Sequence, residues 1–499
     1  MKQLVLLLCL FSLSIARGAE TARPNILFIL SDDQRWDALG AEHNADIKTP
    51  VLDALAKNGI LFPLATVAVP MCCPSRAALV TGLLPHQNGY FSNKSWTPAA
   101  GAGFTAPTGI ELLRQAGYHT SLIGKWHIKP LPWKCGFAEV RTWMPHGADN
   151  YVNPELAHGF SDKIKEEKGH VTELFADDAV AFLNERGKRG GRADGAPFFL
   201  WLAFTAPHTP QRPIPERCCE PYKGLPREQH PPGFPPDEHN DRPWAQYYSA
   251  ITHMDEQCSR VLKALAENGF SENTVVIFLS DNGWMMGSHG YFGKILPDDE
   301  SIRVPLIVHA PPALQGWTGT SNALVSSVDL TATWLELAGV TAPGGWPGQS
   351  ILPLLRSEHP QPPFRDDVYC EFDDEEAWPG YAFRMVRTHD WKLVVRPRRA
   401  DKKVRSLEKD FRETEEEKSY FKPPVLEELQ LFDLKNDSHE LNDVSRDPAA
   451  AGALTEMKLR LKGWMRRTDD PALTERFPEW TAHTDKGVEH LSRKDNHAD

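Results

Sequence analysis

Three short apolar runs constrain the fold of this chain most strongly, because each is followed within a few positions by polar residues. They are Ile26–Leu30 before Asp32-Asp33, Pro197–Phe204 before His208, and Thr274–Leu279 before Asp281-Asn282. Continuous apolar runs of this length are typical of parallel strands that are buried on both faces. Ligands bind beyond the carboxyl ends of such strands, so we expect these polar residues to share one crevice.

Helix-like segments alternate with the apolar runs, as in Thr49–Ala56 and Ile110–Ala116. This alternation predicts an α/β fold whose large domain has a mostly parallel sheet flanked by helices on both faces. A proline cluster at 360–363 indicates a boundary, and Tyr381–Arg387 and Trp391–Val395 behind it predict a hairpin. We therefore expect a large domain over residues 23–360, a smaller C-terminal α+β domain with an antiparallel sheet over 364–475, and an unassigned tail over 476–499.

The N-terminal residues predict export. Lys2 precedes the apolar run Leu4–Leu10, and small residues follow at Gly18 and Ala19, a pattern typical of a cleaved signal peptide over residues 1–18. We expect a periplasmic or secreted protein, or a lysosomal or secretory one in a eukaryotic host. No later segment has the ~20 apolar residues of a membrane helix, so no stable membrane insertion is expected.

The charge balance argues against a nucleic-acid partner. Lys and Arg number 55 against 67 Asp and Glu, which gives a formal net charge of -12, and no basic face dominates the count. The cysteines leave the disulfide pairing open, because an odd number of thiols remains after the signal peptide. The adjacent residues Cys218 and Cys219 lack the spacer of a zinc or redox motif, and disulfides to other loops are the alternative for them.

The segment Pro70–Gly82 carries the most specific pattern in the chain. Counted from Cys72, a proline stands two positions on (Pro74) and an arginine four positions on (Arg76). Counted from Cys73, neither a proline nor an arginine stands at these distances. This segment resembles the signature of the type I, formylglycine-dependent sulfatases of the alkaline-phosphatase-like superfold. The resemblance implies that a formylglycine-generating maturation enzyme oxidises Cys72 to formylglycine (3-oxoalanine), whose hydrate supplies the nucleophilic hydroxyl. It extends from about residue 23 to about 445, so that the large domain would be catalytic.

The same resemblance implies one Ca²⁺ per chain. Its ligands would be the oxygens of Asp32, Asp33, Asp281 and Asn282, together with the modified Cys72. Hard cations of this kind prefer carboxylate and amide oxygens. Singly, Asp and Asn after a strand are more often helix caps or turn formers. Two such pairs after two apolar strands favour the metal site.

Further site residues follow from the resemblance. Gly124–His127 matches an element whose lysine contacts a sulfate oxygen and whose histidine bonds the nucleophile, and His208 and Lys294 match a pair that binds sulfate and protonates the leaving oxygen. Arg76 is expected to hold the nucleophile loop through its fork of donors. The predicted catalytic residues are Cys72, Arg76, Lys125, His127, His208 and Lys294, and the predicted substrate contacts are Lys125, His208, Lys294 and His289.

These residues predict a sulfuric ester hydrolase that removes sulfate from a sulfated glycan or a glycosaminoglycan-type saccharide. Two alternatives stay open. One is a phosphate or phosphonate monoester hydrolase of the same superfold, and the other is a non-catalytic binder of sulfated polymers if Cys72 is never oxidised. Loops over 90–107 and 221–244 are the candidate walls of the substrate cleft.

Overall fold

A computed structural model describes residues 23–93, 104, 106–148, 150–188, 196–224, 241–291, 293–356, 364–373, 380–397 and 427–477. The predicted signal peptide lies outside the described residues, as do nearly all of the tail and parts of both candidate cleft loops. The boundary at 360–363 also falls outside them, so the division into two domains stays a prediction.

Sixteen strands form three sheets within the described residues. In chain order they are β1 Asn25–Ser31, β2 Ile60–Leu61, β3 Ala65–Thr66, β4 His119–Lys125, β5 Glu139–Met144, β6 Glu155–His158, β7 Lys165–Glu166, β8 Phe198–Ala203, β9 Thr274–Ser280, β10 Leu306–His309, β11 Gly319–Thr320, β12 Val325–Ser326, β13 Val368–Phe372, β14 Phe383–Arg387, β15 Trp391–Val395 and β16 Leu429–Asp433.

The largest sheet has ten strands in the order β11-β2-β10-β9-β1-β8-β4-β5-β6-β7. Its five central strands, β9-β1-β8-β4-β5, are parallel, while β10 and β6 pair with them antiparallel. The three strands predicted from apolar runs are β1, β8 and β9, and they lie side by side at the centre. The expected mostly parallel α/β sheet is therefore confirmed.

Helices cover both faces of this sheet. In chain order the described helices are α1 Pro50–Asn58, α2 Cys72–Thr81, α3 Pro85–Asn88, α4 Gly109–Gln115, α5 Val171–Lys188, α6 Glu216–Cys219, α7 Asp241–Glu267, α8 Asp299–Ile302, α9 Val328–Leu337, α10 Leu352–Arg356, α11 Ala451–Arg467 and α12 Ala472–Glu475, of which the last two pack with the C-terminal antiparallel sheet instead. Along β1, Ile26 and Phe28 pack in one core cluster with α2, α4 and α9, whereas Leu27 and Ile29 pack in the other with α1, α5 and α7. Alternate side chains thus face opposite layers.

A separate four-stranded antiparallel sheet, in the order β13-β14-β15-β16, follows the large sheet in the chain. It contains the predicted hairpin as β14 and β15, which pair antiparallel. One face packs under α11 through Leu461 and Trp464. The other face contributes Phe372 and Phe383 to the same core cluster that α2 and α9 enter, so apolar packing continues from the large sheet into the small one.

All cysteines in the described part of the chain are free thiols. Cys218 and Cys219 follow one another in α6, and neither forms a disulfide, so the cross-link alternative for this pair is wrong. Among the described helices, none combines the length and the apolar character that crossing a membrane demands.

Candidate active site

The ends of β1 and β9 bring two polar pairs together. The two strands are parallel neighbours with Ser31 opposite Ser280, so the residues that follow them leave the sheet at the same edge. The backbone N–H of Asp281 donates to the carbonyl of Ser31 at 3.1 Å, and that of Asp33 donates to Oδ1 of Asp281 at 3.3 Å. Asp32, Asp33, Asp281 and Asn282 are all buried there, as the sequence predicts.

Cys72 faces these carboxylates from the first turn of α2. Its Sγ lies 3.5 Å from Oδ1 of Asp32, 2.7 Å from Nζ of Lys294 and 3.8 Å from Nζ of Lys125, and the side chain is fully buried. Ser75, one turn later, donates its hydroxyl proton to the carbonyl of Asp281 at 2.5 Å, which fixes the helix against the end of β9. The nucleophile position and the acidic pairs therefore form one cluster.

The charges of the cluster are strongly coupled. Burial alone would raise the pKa of Asp32, but the opposing charges, Lys125 foremost, outweigh burial and lower it. Burial and the nearby Asp32 raise the pKa of Asp281. Burial, reinforced by Asp32, also raises the pKa of Cys72 well above its usual value, so the unmodified thiol stays protonated. A protonated thiol is a weak nucleophile.

Arg76 connects three parts of the cluster. Its Nε donates to Oδ2 of Asp281 at 2.7 Å, one Nη donates to the carbonyl of Lys125 at 2.7 Å, and the other lies 3.5 Å from Oδ2 of Asp32. The guanidinium is fully buried, and its three contacts use the fork geometry that lysine lacks. Arg76 thus occupies the position that the sequence predicts for it.

The end of β4 supplies Lys125 and His127. The ammonium of Lys125 is buried and forms an ion pair with Oδ2 of Asp32. His127 adopts a positive φ of 60°, its carbonyl accepts the Sγ–H of Cys73 at 2.6 Å, and its Nδ1 is buried without a hydrogen-bond partner. Burial and the charge of Lys125 hold the pKa of His127 well below its ordinary value, so the ring is neutral.

His208 and Lys294 approach from two further loops. Lys294 forms an ion pair with Oδ1 of Asp33 and sits 5.6 Å from the centre of the Trp284 ring. Nε2 of His208 lies 3.7 Å from Oδ2 of Asp33. Ligand atoms of Asp32, Cys72 and His208 all lie within 4.8 Å of one another. Both predicted residues therefore reach the cluster.

His289 lies beside the cluster, and its ionic contact is with Glu300. Its Nε2 is 3.5 Å from Oε2 of Glu300, and although burial opposes protonation, Glu300 and Asp298 raise the pKa of His289 to about 9. It is therefore a cation at neutral pH, and its predicted substrate contact stays a prediction. His146, which the sequence leaves unassigned, has a buried Nδ1 without a hydrogen-bond partner.

The cluster has the composition of a site for a hard cation. Side-chain ligand atoms of Asp32, Asp33, Cys72 and Asp281 all lie within 4.8 Å of one another. Oδ2 of Asp33 and Oδ1 of Asn282 are buried and accept no hydrogen bond from the residues that the structure describes, which is costly for a carboxylate or amide oxygen unless a cation contacts it. These oxygen donors fit the calcium site that the resemblance implies.

Sequence reasoning missed several residues that support the site. The phenol of Tyr247 donates to the carbonyl of Asp33 at 2.6 Å, and Oδ1 of Asn93 accepts the backbone N–H of Cys73 at 3.0 Å. Tyr247 comes from α7 and Asn93 from a loop after α3. Nothing in the local sequence around either one signals these contacts, because they depend on how distant elements pack.

Comparisons with known proteins agree with this geometry. The Sulfatase family model matches residues 24–340, more than half of the chain, and the family model described as "N-sulphoglucosamine sulphohydrolase, C-terminal" matches residues 287–423. An ulvan-active sulfatase of Formosa agariphila is 29% identical over 76% of this chain and 74% of its own length. The N-acetylgalactosamine-6-sulfatase of Rattus norvegicus is 30% identical over 72% and 70%.

A solved structure shares the fold. It is a Bacteroides fragilis protein described provisionally as a sulfatase, and it superposes with a TM-score of 0.77 at 24% identity. The alignment covers 93% of this chain and 99% of the other. The small antiparallel sheet as well as the large sheet lies within the part of the chain that is covered.

Proposed function

The chain belongs to the sulfatase family, and from this premise we propose that it removes sulfate from a sulfated saccharide by means of a formylglycine made from Cys72. Two relatives support the substrate class, since one is named for its action on ulvan and the other for N-acetylgalactosamine 6-sulfate. The observation that carries the proposal is the buried position of Cys72 between Lys294 and Asp32, where a thiol of raised pKa has no evident use.

The proposed chemistry uses two hydroxyl groups on one carbon. A maturation enzyme that uses molecular oxygen as the oxidant converts the Cys72 side chain to an aldehyde with loss of the thiol sulfur, and water adds to give the hydrate. One hydroxyl loses its proton and attacks sulfur, and the bond between sulfur and the saccharide oxygen breaks. Loss of the proton from the second hydroxyl then expels sulfate and restores the aldehyde. A serine in this place would be left as a stable sulfate ester.

The surrounding cations complement the substrate charge. Lys125 and Lys294 lie beside Cys72 and would bind the sulfate oxygens, which keeps the sulfur in line with the nucleophile. His208 would give a proton to the saccharide oxygen as it leaves, and His127 would bond the nucleophile. Arg76 makes its contacts with Asp281, Lys125 and Asp32, so its role is to position the other groups.

We propose that Asp32, Asp33, Asp281, Asn282 and the modified residue 72 hold one Ca²⁺. When bound, the ion would neutralise negative charge on the sulfate and lower the pKa of a hydroxyl that contacts it. Removing calcium with a chelator should lower the melting temperature and stop turnover, and adding Ca²⁺ should restore both. Removing the ion would leave three buried carboxylates and a buried amide oxygen without the cation, so a melting temperature that is the same with and without chelator would contradict the metal site.

The first experiment examines Cys72 itself. Protein made together with a formylglycine-generating enzyme is digested, and the peptide with Cys72 is weighed; we expect the mass of the aldehyde or its hydrate. Cys72→Ala should lower the turnover of 4-nitrophenyl sulfate on the order of 10⁴-fold or more. Cys73→Ser is the matched control, because a hydroxyl can still donate to the carbonyl of His127 and activity should survive.

The same assays separate the two alternatives. Faster cleavage of 4-nitrophenyl phosphate than of 4-nitrophenyl sulfate would favour the phosphate or phosphonate monoester hydrolase. An unmodified thiol at Cys72, in a host that converts a control sulfatase, together with undiminished binding of sulfated polymers, would favour the non-catalytic binder.

We also propose that the protein is exported, on the strength of the apolar run Leu4–Leu10 with Lys2 before it. Amino-terminal sequencing of the protein recovered outside the cytoplasm should begin near Gly18 or Ala19. Recovery of the chain only inside the cytoplasm with Met1 intact would contradict export.

A further inference from the structure

His208 belongs to a loop that leaves β8 and is anchored from outside the site. We name residues 205–213 the His208 loop, and two buried aromatic residues, Tyr151 and His170, hold its two ends. We infer that Tyr151 and His170 are positioning residues that fix the proton donor His208 against the leaving oxygen. The inference rests on the role proposed for His208 above, and it assigns a function to two residues that do not touch the substrate.

Tyr151 holds the first end of the His208 loop. Its hydroxyl donates to the carbonyl of His208 at 2.9 Å and lies 3.4 Å from the carbonyl of Thr205, while the backbone N–H of His208 donates to that same Thr205 carbonyl at 2.9 Å. The side chain is 1% exposed. Burial raises the pKa of Tyr151 well above its usual value, so the phenol keeps its proton and remains a donor.

The ring of His208 is oriented by the same turn. Its Nδ1 lies 2.5 Å from the carbonyl of Thr209, and a carbonyl can only accept, so Nδ1 carries a proton and donates. Nε2 is then the atom that faces Asp33, at 3.7 Å from Oδ2. In the doubly protonated ring Nε2 also carries a proton, and giving that proton to the leaving oxygen returns the ring to its neutral Nδ1–H form. A displacement of the carbonyl of His208 would therefore move the nitrogen that gives the proton.

His170 holds the second end of the His208 loop. The backbone N–H of Thr172 donates to its Nδ1 at 3.3 Å, which places the ring proton on Nε2, and Nε2–H donates to the carbonyl of Pro213 at 3.2 Å. Burial lowers the pKa of His170 to about 4, so the neutral ring keeps this tautomer. The ring of His253 packs edge-to-face against it at 4.4 Å.

Tyr151 and His170 act together. Their rings pack edge-to-face with centroids 5.5 Å apart, and the backbone N–H of Val171 donates to the carbonyl of Tyr151 at 2.8 Å. Within the loop, Gln211 donates its side-chain amide to the carbonyl of Pro207 at 2.8 Å. The backbone N–H of Asp32 also donates to the carbonyl of Ala206 at 3.1 Å, and the remaining contacts that hold the loop come from these side chains. The loop has no strand partner of its own among the described residues.

The inference predicts a loss that depends on the leaving group. An alcohol or a poorly acidic phenol needs a proton as the ester bond breaks, whereas 4-nitrophenol leaves readily as the anion. Tyr151→Phe removes one hydroxyl and should lower kcat about tenfold on 4-methylphenyl sulfate. This loss is a part of the roughly 10²–10⁴-fold rate acceleration that proton transfer from a positioned side chain contributes. On 4-nitrophenyl sulfate the loss should stay below about twofold.

Tyr118→Phe is the matched control. Tyr118 is also buried, and its hydroxyl donates to the backbone carbonyl of Pro24 at 2.8 Å, away from the site. It should affect both substrates equally. His170→Gln keeps a donor near the carbonyl of Pro213, whereas His170→Leu removes it, so only the leucine variant should reproduce the loss that depends on the leaving group.

His208→Gln distinguishes the proton-donor role of His208 from the positioning role of Tyr151 and His170. If its loss is equal on both aryl sulfates, the proton-donor role of His208 is wrong and the proposed mechanism fails with it. If His208→Gln shows the dependence on the leaving group but Tyr151→Phe and His170→Leu lower both rates equally, His208 remains the donor and the positioning inference is overturned. Should Tyr151→Phe fail to fold, the two variants at His170 decide the question.

Discussion

Arg76 determines the geometry of the site more than any other single side chain described above. Its guanidinium contacts the end of β1, the end of β4 and the end of β9 through Asp32, Lys125 and Asp281. It is buried and paired, so the loss of any contact leaves a polar group unsatisfied away from water. The contacts of Arg76 therefore hold three strand ends together, and the role proposed for it in turnover depends on the same contacts.

Arg76→Lys should be damaging although the charge is kept. An ammonium has no planar fork and cannot reach all three acceptors, so we expect the free energy of unfolding to fall by about 3 kcal/mol and kcat to fall about 100-fold. Urea denaturation and turnover of 4-nitrophenyl sulfate measure the two effects. Arg260 forms an exposed ion pair with Asp177, so the control variant Arg260→Lys should change neither stability nor turnover measurably. An Arg76→Lys variant with unchanged stability and turnover would contradict the role assigned here.

At the residue scale, spacing and position after a strand indicate which side chains meet. The sequence brings Cys72, Arg76 and the two acidic pairs into one predicted site, and the structure places them together. The sequence does not indicate that Lys125 and Lys294 pair separately with Asp32 and Asp33. It also gives no sign that Tyr151 reaches the carbonyl of His208. Such contacts join residues far apart in the chain, and local patterns carry no information about them.

Among the elements, β4 lies very close to the backbone of its neighbour β8. Gly124 has a φ of +99°, and a Cβ there would lie 1.9 Å from the carbonyl oxygen of Ala203 on β8. The register between β4 and β5 also shifts between Leu122 and Gly124. Only a glycine allows this backbone, and the bend it permits sends Lys125 toward Asp32.

Gly124→Ala should therefore destabilise the sheet and the site together. We expect the free energy of unfolding to fall by about 3 kcal/mol or more, because the strain of a positive φ adds to an overlap with backbone that cannot yield. Gly463→Ala is the control: this glycine lies inside α11, its added Cβ would meet only ordinary contacts, and it should stabilise by up to about 1 kcal/mol. Thermal and urea denaturation of both variants measure the difference.

Elements with long apolar runs are predictable from sequence, and short ones are not. β1, β8 and β9 form as expected because both of their faces are buried, which gives a continuous apolar signal. At one end of the large sheet, β6 and the edge strand β7 carry polar residues and no clear alternation. α8 is a single turn with Asp299 and Glu300 at its start, and its position depends on the C-terminal sheet.

Over the whole molecule, the small sheet and the large sheet are joined by apolar packing and by buried charge. Asp299 accepts from Arg387 and Lys392 on β14 and β15, and Lys392 also pairs with Glu440. A sequence predicts that two sheets exist, but it does not show that they share one core, because proline-rich segments look alike whether they separate independent domains or connect packed layers.

His86 is a second connection between the two parts, and it predicts a dependence of stability on pH. Its Nδ1 lies 2.7 Å from Oε2 of Glu371 on β13, and its Nε2 lies 3.1 Å from the carbonyl of Thr468 behind α11. Both ring nitrogens thus face acceptors. Burial opposes protonation, and Arg384 does so weakly, but Glu371 and Asp470 outweigh them and raise the pKa of His86.

A raised histidine pKa contributes stability that is fully present below the unfolded value of about 6.5 and is lost as the pH rises through the folded pKa. At pH 6, His86→Gln should lower the free energy of unfolding by about 1–3 kcal/mol, and the gap to the unchanged protein should narrow toward alkaline pH. Urea titrations across this range measure the gap. His389→Gln, on the surface, is the control and should give a small gap. A gap for His86→Gln that does not change with pH would contradict the charged pair.

The site also has a consequence for folding experiments. Lys294 and Asp33 meet although they are 261 positions apart, and the other members of the cluster come from β4, α2 and the end of β8. Every long loop of the large sheet has to close before these groups are neighbours, and such closures are the slow part of folding. Recovery of turnover after dilution from denaturant should therefore be slower than the recovery of the helical circular dichroism signal. The return of activity then measures the rate of the last folding step.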